Sequence, residues 1–440
     1  MTAVARSWRL ALFASAAVGL CSCGGGSSNS SASSSASPPP PSGPNVVTMV
    51  VDSGPKDSSG NPIAAVINQA YVTIKICVPG STTSCQTLDH IWVDTGSTGL
   101  RLFTSSFASS LPLSTDGSGN AIGSCSQFLG AYTWGALRSA DITVGGKTAA
   151  SVPIQVIGDS GITTIAPSTC SNGSGGALQT LDTAAAMGAN GLLGIGEFKQ
   201  DCGPACASTT PPNPPTGWYY ICPAGSCTQT SLATNLQMQN PVSLFATDNN
   251  GVLVQLQSIA AGGAGTASGY LIFGINTQSN NMLGSALVFA ADTNNGTIRT
   301  TTTYGDMSEP SSFIDSGSNG YFFNGPTSLT ACPGTPPNGF YCPSSTVSLS
   351  ATMLPISANT PSFAFGFNIA SASSFSSTTY AANDLGGPDI RNPPCDNTNP
   401  ANLCSFDWGL PFFYGRSVFT AIEGATINGN ATPFFAASTP

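Results

Sequence analysis

Charged residues are scarce in this chain of 440 residues. Asp, Glu, Lys and Arg together make up only 7% of it, against about a quarter in a typical soluble protein. Gly, Ser, Thr and Asn fill the surface role instead. Only 11 residues are Lys or Arg and the net charge is −9, so we expect no basic face and no nucleic-acid partner.

Histidine is almost absent, since His90 is the only one in the chain. A single imidazole excludes most Ser-His-Asp and Cys-His mechanisms and any metal site built from several histidines. No other pattern requires a cofactor, and we expect none.

A membrane-spanning apolar run is also missing from the N-terminus. The run Leu10–Leu20 follows Arg6 and Arg9 and is too short to cross a bilayer, which is typical of a targeting segment. It ends in Leu-Cys-Ser-Cys, which resembles a bacterial lipobox with Cys23 as the lipidated residue. A plain secretory signal is the alternative, and both interpretations predict export.

The segments that follow fit a lipid-anchored protein. Residues 1–23 are predicted to be the signal with its lipobox. Residues 24–44 are rich in Gly and Ser and then in Pro, and they are predicted to form a disordered tether. We therefore predict a monomeric lipoprotein of the bacterial cell envelope. The outer membrane is the favoured location, with the protein on its periplasmic or surface face.

Cysteine is the one reactive residue type that is plentiful, with 14 copies. Removing Cys21 and Cys23 leaves an even number, as expected for disulfides in an exported protein. Sequence proximity suggests these pairs: Cys77 with Cys85, Cys125 with Cys170, Cys202 with Cys206, Cys222 with Cys227, Cys332 with Cys342, and Cys395 with Cys404. The four cysteines between residues 202 and 227 could exchange partners, and a zinc site there is the alternative to disulfides.

Short β-branched runs separated by Gly, Asn, Ser and Thr dominate from Asn45 onward, which predicts a mainly β protein. The clearest runs are VVTMVVD, AYVTIKICV, HIWVD, DITVGG, VPIQVIG, VLVQLQSI, GYLIFG, SALVFA, TIRTTTTYG and SSFID. Helical spacing is scarce, and residues 178–187 and 232–245 are the best short candidates.

One segment with an uncommon pattern occurs twice. The run Ile91-Trp92-Val93 leads into Asp94-Thr95-Gly96-Ser97, and Phe313-Ile314 leads into Asp315-Ser316-Gly317-Ser318. A buried carboxylate is costly unless it is paired or hydrogen-bonded, so each aspartate predicts a partner. Two other Asp-Ser-Gly triplets begin at Asp52 and Asp159. Neither has both an apolar run before the aspartate and a hydroxyl residue after the glycine.

Asp94 and Asp315 suit acid–base chemistry if the fold brings them together. Two adjacent carboxylates share a proton, so that one can act as a base toward water while the other acts as an acid. The N–H groups of Gly96 and Gly317 can approach the carboxylates closely because no Cβ obstructs them. The hydroxyls of Thr95, Ser97, Ser316 and Ser318 can orient the pair or brace the two loops. Two ordinary turns at strand ends are the alternative.

These motifs resemble those of the pepsin-like aspartic peptidases, in order and rough spacing, from about Tyr71 to Ile422. That family has an apolar–apolar–Gly element behind each catalytic loop. GLLGIG, residues 191–196, resembles the first, and Phe413-Tyr414-Gly415 resembles the second. The resemblance implies a mainly β, two-lobed fold with a central cleft between the lobes and a polypeptide as substrate. It predicts an N-terminal lobe at residues 45–285 and a C-terminal lobe at residues 286–440.

The chain departs from the family at the flap that covers the cleft. Phe128 takes the place of the flap tyrosine, with Tyr132 and Trp134 nearby as further flap or substrate-contacting candidates. Arg101 replaces the tryptophan that usually bonds that tyrosine, and Arg416 replaces an aspartate after the second apolar–apolar–Gly. The sequence thus favours an aspartic endopeptidase. A catalytically silent lipoprotein of the same fold that binds peptide or polymer is the alternative, and an unrelated β-sandwich surface protein is a third.

Overall fold

The computed structural model describes residues 8–9, 40–106, 111–163, 165–173, 176–209, 217–223, 226–304, 308–333, 339–389, 395–399 and 402–438. Cys23 and most of the predicted signal and tether lie outside these residues. In the part of the chain that is described, no helix is both long and apolar enough to cross a membrane.

The fold is mainly β, as predicted, and each of the ten predicted runs overlaps a strand. Up to residue 273 the strands are Trp8–Arg9, Val46–Val51, Ala70–Cys77, Cys85–Asp94, Thr98–Phe103, Ala121–Leu129, Ala131–Val144, Lys147–Ile157, Asn172–Gly173, Gly176–Ala177, Gln179–Thr180, Gly191–Ile195, Tyr219–Cys222, Thr228–Gln229, Gly251–Leu256 and Ala267–Phe273. The remaining strands are Leu287–Ala290, Ile298–Thr302, Ser308–Ile314, Tyr321–Phe322, Val347–Leu354, Phe363–Ile369, Gly386–Gly387, Asp407–Trp408, Ser417–Ala421, Thr426–Ile427, Asn430–Ala431 and Phe434–Ala437.

In the residues that the structure describes, every helix is about a single turn long. The α-helices are Ser168–Ser171, Ala184–Met187 and Pro204–Ala207, and the 3-10 helices are Thr104–Ser106, Thr234–Leu236, Pro241–Leu244, Ala372–Ser374 and Leu410–Phe413. The two predicted helices are therefore much shorter than expected. Ala184–Met187 lies between a Thr183 N-cap and a left-handed Gly188, and in the second segment Pro241 starts a new turn because it cannot continue a helix.

A central sheet takes strands from both predicted lobes. Its strand Gly251–Leu256 pairs on one side with Ala267–Phe273 and on the other with Ser417–Ala421. The sheet continues through Phe434–Ala437 to Leu287–Ala290. The two lobes are consequently joined by backbone hydrogen bonds between residues far apart in sequence, and the boundary at residue 285 stays a prediction.

The C-terminal lobe is filled by aromatic rings on a second, seven-stranded sheet. Phe406 stacks on Phe323 with ring centroids 4.8 Å apart and on Trp408 at 4.2 Å. Trp408 is fully buried, and its indole N–H donates to Thr300 Oγ1 at 2.9 Å. This packing fixes the strand that lies directly behind the second aspartate loop.

Six disulfides join the cysteine pairs that sequence proximity suggested. The four cysteines between residues 202 and 227 pair as Cys202–Cys206 and Cys222–Cys227, so they do not exchange partners. Disulfides on this scale are typical of proteins that fold in an oxidising, exported environment.

Candidate active site

The first aspartate is held by a three-strand arrangement. Gly191–Ile195 lies between Cys85–Asp94, which it pairs in parallel, and Thr98–Phe103, which it pairs antiparallel. A Cβ at Gly194 would stand 2.7 Å from both Ser97 Oγ and Thr98 N. Only glycine therefore fits behind the loop, and the GLLGIG element lies where the sequence predicted it.

The second aspartate has a matching arrangement, but with a different strand from the one predicted. Asp407–Trp408 pairs in parallel with Ser308–Ile314 and antiparallel with Tyr321–Phe322. A Cβ at Gly409 would stand 2.2 Å from Gly320 O. The element behind the second loop is thus Asp407-Trp408-Gly409.

The assignment of this element to Phe413-Tyr414-Gly415 was wrong. Phe413 ends a 3-10 turn that follows Gly409. The residue after the crossing glycine is consequently Leu410, and Arg416 does not take the place of the family's aspartate. Arg416 instead lies with its guanidinium carbon 4.0 Å from the ring centroid of Phe365. The apolar triplet at 413–415 was misleading because the true crossing strand contains a charged residue, Asp407.

Each aspartate is hydrogen-bonded to the same two groups of its own loop, the N–H of the glycine two residues on and the hydroxyl of the serine three residues on. Asp94 accepts from Gly96 N–H at 2.8 Å and from Ser97 Oγ–H at 2.5 Å. The corresponding distances from Asp315 are 2.7 Å to Gly317 N and 3.0 Å to Ser318 Oγ. Both aspartates are buried, so these groups replace the water that the carboxylates lose.

The two loops brace each other through the hydroxyl residues that follow the aspartates. Thr95 N–H donates to Ser316 Oγ at 3.0 Å, and Ser316 N–H donates to Thr95 Oγ1 at 2.9 Å. The Ser316 hydroxyl then donates to Val93 O at 2.8 Å. This reciprocal pairing joins residues 221 positions apart and fixes one loop against the other.

The brace brings the two carboxylates together. A methyl group added at Gly317 would lie 2.5 Å from Asp94 Oδ1 and 3.0 Å from Asp315 Oδ1, so these oxygens are separated by no more than the sum of those distances. Burial, the charge of Asp94 and the charge of Asp407 raise the pKa of Asp315 well above its usual range. A pair of this kind holds one proton over a wide pH range.

Arg101 is buried between the Asp94 loop and the hairpin of strands Ala121–Leu129 and Ala131–Val144, which carries the flap candidates and is called the flap hairpin. Its guanidinium donates to Ser126 Oγ from Nε at 3.1 Å and from Nη2 at 2.8 Å. Burial lowers the pKa of Arg101, while the carboxylates of Asp201 and Asp94 oppose that shift. The position that holds a tryptophan in the resembling family therefore still connects to the flap here, through a charged side chain.

The three flap candidates lie in two different places. Phe128 lines a small cavity beside the Asp94 loop, shared with Ser97 and Arg101, and the Arg101 guanidinium carbon is 5.6 Å from its ring centroid. Tyr132 and Trp134 pack with the cluster around the Cys125–Cys170 disulfide. Of the three, Phe128 is the one that the structure places at the site, and contact with a substrate stays a prediction for all of them.

Sequence reasoning missed the third carboxylate of the site. Asp407 is fully buried, and its Oδ2 lies 2.6 Å from the hydroxyl of Ser318. A signal was present, because Asp407 interrupts the apolar run Phe406–Leu410. A charged residue at the centre of a buried strand is costly unless it has a partner, as Asp94 illustrates.

Fold and site together define a two-lobed β protein with a braced pair of buried carboxylates between its lobes. The chain belongs to the family described as "Protein of unknown function (DUF3443)", which matches residues 41–437. No curated protein matches it. The crystal structure of an aspartic proteinase from Irpex lacteus is similar at 12% identity and a TM-score of 0.47, over 90% of this chain and 96% of that one.

Proposed function

We propose that this protein is an exported aspartic-type endopeptidase that hydrolyses peptide bonds with Asp94 and Asp315. The observation that carries the proposal is the pair of buried carboxylates, each held by a glycine N–H and a serine hydroxyl and joined by the Thr95–Ser316 brace. A purely structural pair of turns has no need to bring two carboxylates together, because like charges at this distance are destabilising.

The mechanism follows from one proton shared between two oxygens. One carboxylate removes a proton from a water molecule that attacks the peptide carbonyl, and the protonated partner donates its proton to the carbonyl oxygen. The first carboxylate then passes the proton it took from water to the leaving amine, while the partner recovers a proton from a hydroxyl of the tetrahedral intermediate as the C–N bond breaks. The raised pKa of Asp315 favours it as the proton carrier. Activity should therefore decline as the pH rises through that raised pKa, because Asp315 then loses its proton.

The substrate would be a polypeptide bound in an extended conformation under the flap. An extended chain can form strand-like hydrogen bonds with a strand edge. In the hairpin of Ala121–Leu129 and Ala131–Val144, residues Ala121–Ser124 already pair with Tyr219–Cys222, whereas Gln127 and Phe128 line the cavity beside the Asp94 loop. The cavity lined by Ser97, Phe128 and Trp218 offers apolar and polar contacts to a side chain.

The decisive experiment compares Asp→Asn variants at three positions. Asp94→Asn and Asp315→Asn should each abolish cleavage of an unfolded polypeptide, and the double variant should lose no more than either, because the two residues act as one unit. Asp52→Asn is the matched control. Like Asp94 and Asp315, Asp52 accepts a hydrogen bond from the backbone N–H two residues later, that of Gly54 at 2.8 Å, but its side chain faces His90 instead of a second carboxylate. It should retain activity.

The pH range makes the assay decisive. Wild-type protein that cleaves no unfolded polypeptide between about pH 3 and pH 7, the range of a dyad that holds one proton, would contradict the peptidase proposal. The catalytically silent peptide binder is the second candidate, favoured by the phenylalanine at the flap and by the buried Arg101 beside Asp94. Binding of the transition-state mimic pepstatin without turnover would support that candidate.

We also propose that the protein is a lipoprotein of the bacterial cell envelope, anchored through Cys23. The Leu-Cys-Ser-Cys sequence supports this, and a lipidated N-terminus with more than one acyl chain gives stable membrane attachment. Cys23→Ser should move the protein from the membrane fraction to the soluble fraction, whereas Cys21→Ser, the matched control, should leave it membrane-bound. An unmodified N-terminus at another residue, found by mass spectrometry, would contradict the proposal.

A further inference from the structure

The strands that cross behind the two aspartate loops differ by one acidic residue. Ser97 and Ser318 occupy matching positions, but Ser97 is hydrogen-bonded to Asp94, whereas Ser318 lies between Asp315 and Asp407. The strand behind the first loop carries Leu192 at the position that Asp407 takes behind the second, since Gly194 pairs with Asp94 and Trp408 pairs with Ile314. The third carboxylate is therefore specific to the C-terminal side.

A hydroxyl group has one proton, and this limits what Ser318 can do. Its Oγ is 2.6 Å from Asp407 Oδ2 and 3.0 Å from Asp315 Oδ2. Donation to Asp407, the shorter contact, leaves Ser318 Oγ as an acceptor toward Asp315. Asp315 Oδ2 must then carry a proton to complete the hydrogen bond. At Asp94, by contrast, the Ser97 hydroxyl donates to Asp94 itself.

We infer that Asp407 is a positioning residue of the proposed peptidase, which acts through Ser318 to keep the shared proton on Asp315 and leave Asp94 as the base. The inference rests on the proposed function for its role in catalysis. The hydrogen-bond chain itself makes a prediction about proton location that holds with or without turnover. Asp407 does not contact the reacting atoms in this scheme.

Other ionisable groups must be taken into account when the proton is followed. The loops and strands around Asp407 and Ser318 carry, besides Asp315, the side chains of Asp94, Glu309, Tyr321, Asp384 and Arg416. Burial raises the pKa of Tyr321 far above neutrality, so it stays uncharged. Asp384 is a useful comparison because it is a buried carboxylate of the same lobe that accepts from Gly262 N–H at 3.3 Å.

The test is a titration that needs no activity. Protein labelled with carbon-13 at the aspartate carboxyl groups gives few signals, since Asp and Glu number only 20, and Asp315→Asn identifies the signal of interest. In Asp407→Asn, which keeps the shape of the side chain, the Asp315 titration should move to lower pH. In the matched control Asp384→Asn it should stay at the wild-type pH.

A second pair of variants separates the hydrogen-bond chain from a through-space charge effect. Ser318→Ala should itself shift the Asp315 titration, and adding Asp407→Asn to Ser318→Ala should shift it less than Asp407→Asn does in the wild type. Ser318→Thr, which keeps the hydroxyl, should restore the wild-type value. If Asp407→Asn shifts the Asp315 titration by the same amount in the wild type and in Ser318→Ala, the inference is overturned.

Peptidase assays on the same variants connect the proton to catalysis. The high-pH limb of the rate profile should move to lower pH in Asp407→Asn, in parallel with the titration. If the titration moves but no variant or wild-type protein cleaves peptide, the peptidase proposal fails and the hydrogen-bond chain stands. If wild-type protein cleaves peptide and the titration is unchanged in Asp407→Asn, the role of Asp407 is refuted and the peptidase stands.

Discussion

Gly317 shows how closely the two halves of the site approach each other. Its missing side chain leaves the space in which Asp94 Oδ1 and Asp315 Oδ1 both lie, within 2.5 and 3.0 Å of where a Cβ would be. Real Cβ atoms do not approach other atoms so closely, so glycine is required here by crowding. The tip of the second loop is therefore shaped by the opposite aspartate.

Gly317→Ala should consequently damage the site. The added methyl would push Asp94 away from Asp315 and should destabilise the protein by about 1–3 kcal/mol, the usual cost of overpacking, together with loss of any cleavage. Denaturant unfolding and the peptidase assay measure the two effects. Gly117→Ala is the control, because a Cβ there would have no neighbour within 4 Å. Equal unfolding midpoints for the two variants would contradict this account.

At the scale of elements, the flap hairpin is tied to the first loop by one side chain. Arg101 follows the Asp94 loop on the strand Thr98–Phe103, and it reaches Ser126 on the flap strand Ala121–Leu129. Its third contact, from Nη1 to Gly99 O at 3.3 Å, stays within its own strand. The Ser126 hydroxyl therefore links the flap strand to the strand after Asp94, in addition to the backbone pairing of Ala121–Leu129 with its neighbours.

Ser126→Ala should loosen the flap. It would leave two donors of the buried Arg101 without their partner, at a cost of about 1–3 kcal/mol. Amide hydrogen exchange should become faster in Ala121–Leu129, while Gly251–Leu256 and Ala267–Phe273, elsewhere in the same sheet, keep their protection. Ser126→Thr should preserve the wild-type rates, and Ser118→Ala, at an exposed turn before the same strand, serves as the control. Unchanged exchange in Ser126→Ala would show that Arg101 does not hold the flap.

For the whole molecule, one buried asparagine connects the two lobes beside the site. Asn68 Nδ2 donates to Asn319 O at 2.9 Å and to Ala382 O at 2.7 Å. Its Oδ1 accepts from Tyr414 Oη–H and from Ala382 N–H. Asn68 has a positive φ of 60°, a conformation that asparagine tolerates better than most residues. These contacts hold an N-terminal segment against the C-terminal lobe.

Two substitutions at Asn68 should separate its hydrogen bonds from its backbone. Asn68→Gly keeps the positive φ but leaves buried groups without partners, which should lower the free energy of unfolding by at least about 1–3 kcal/mol. Asn68→Ala should lose about 1–2 kcal/mol more, because a left-handed conformation is unfavourable for alanine. Urea unfolding measures both. If Asn68→Gly is as stable as the wild type, the lobes do not depend on this bridge.

The mainly β class, the strand positions, the two aspartate loops and the disulfide pairs could be predicted from the sequence. Each depends on residues that are close in the chain: alternating β-branched runs, an apolar lead-in before Asp94 and Asp315, and cysteines a few positions apart. Local patterns of this kind report local structure directly. The lengths of the two helices were overestimated because Gly188 ends the first turn, and in the second segment one turn ends at Leu236 and Pro241 starts another.

Only the tertiary structure decided which residues surround Asp94 and Asp315. The crossing strand behind Asp315 comes from residues 407–408, about ninety positions away, and its apolar pattern is broken by Asp407. Whether a carboxylate in that strand is tolerated depends on Ser318 lying opposite it. Whether Arg101 reaches Ser126 depends on how Thr98–Phe103 and Ala121–Leu129 are placed by the other strands with which each of them pairs. The sequence by itself determined which residues could be catalytic, because each candidate belongs to a motif formed by neighbouring residues. Their neighbours, and hence the proton's position, were decided by contacts between distant segments, which no local pattern encodes.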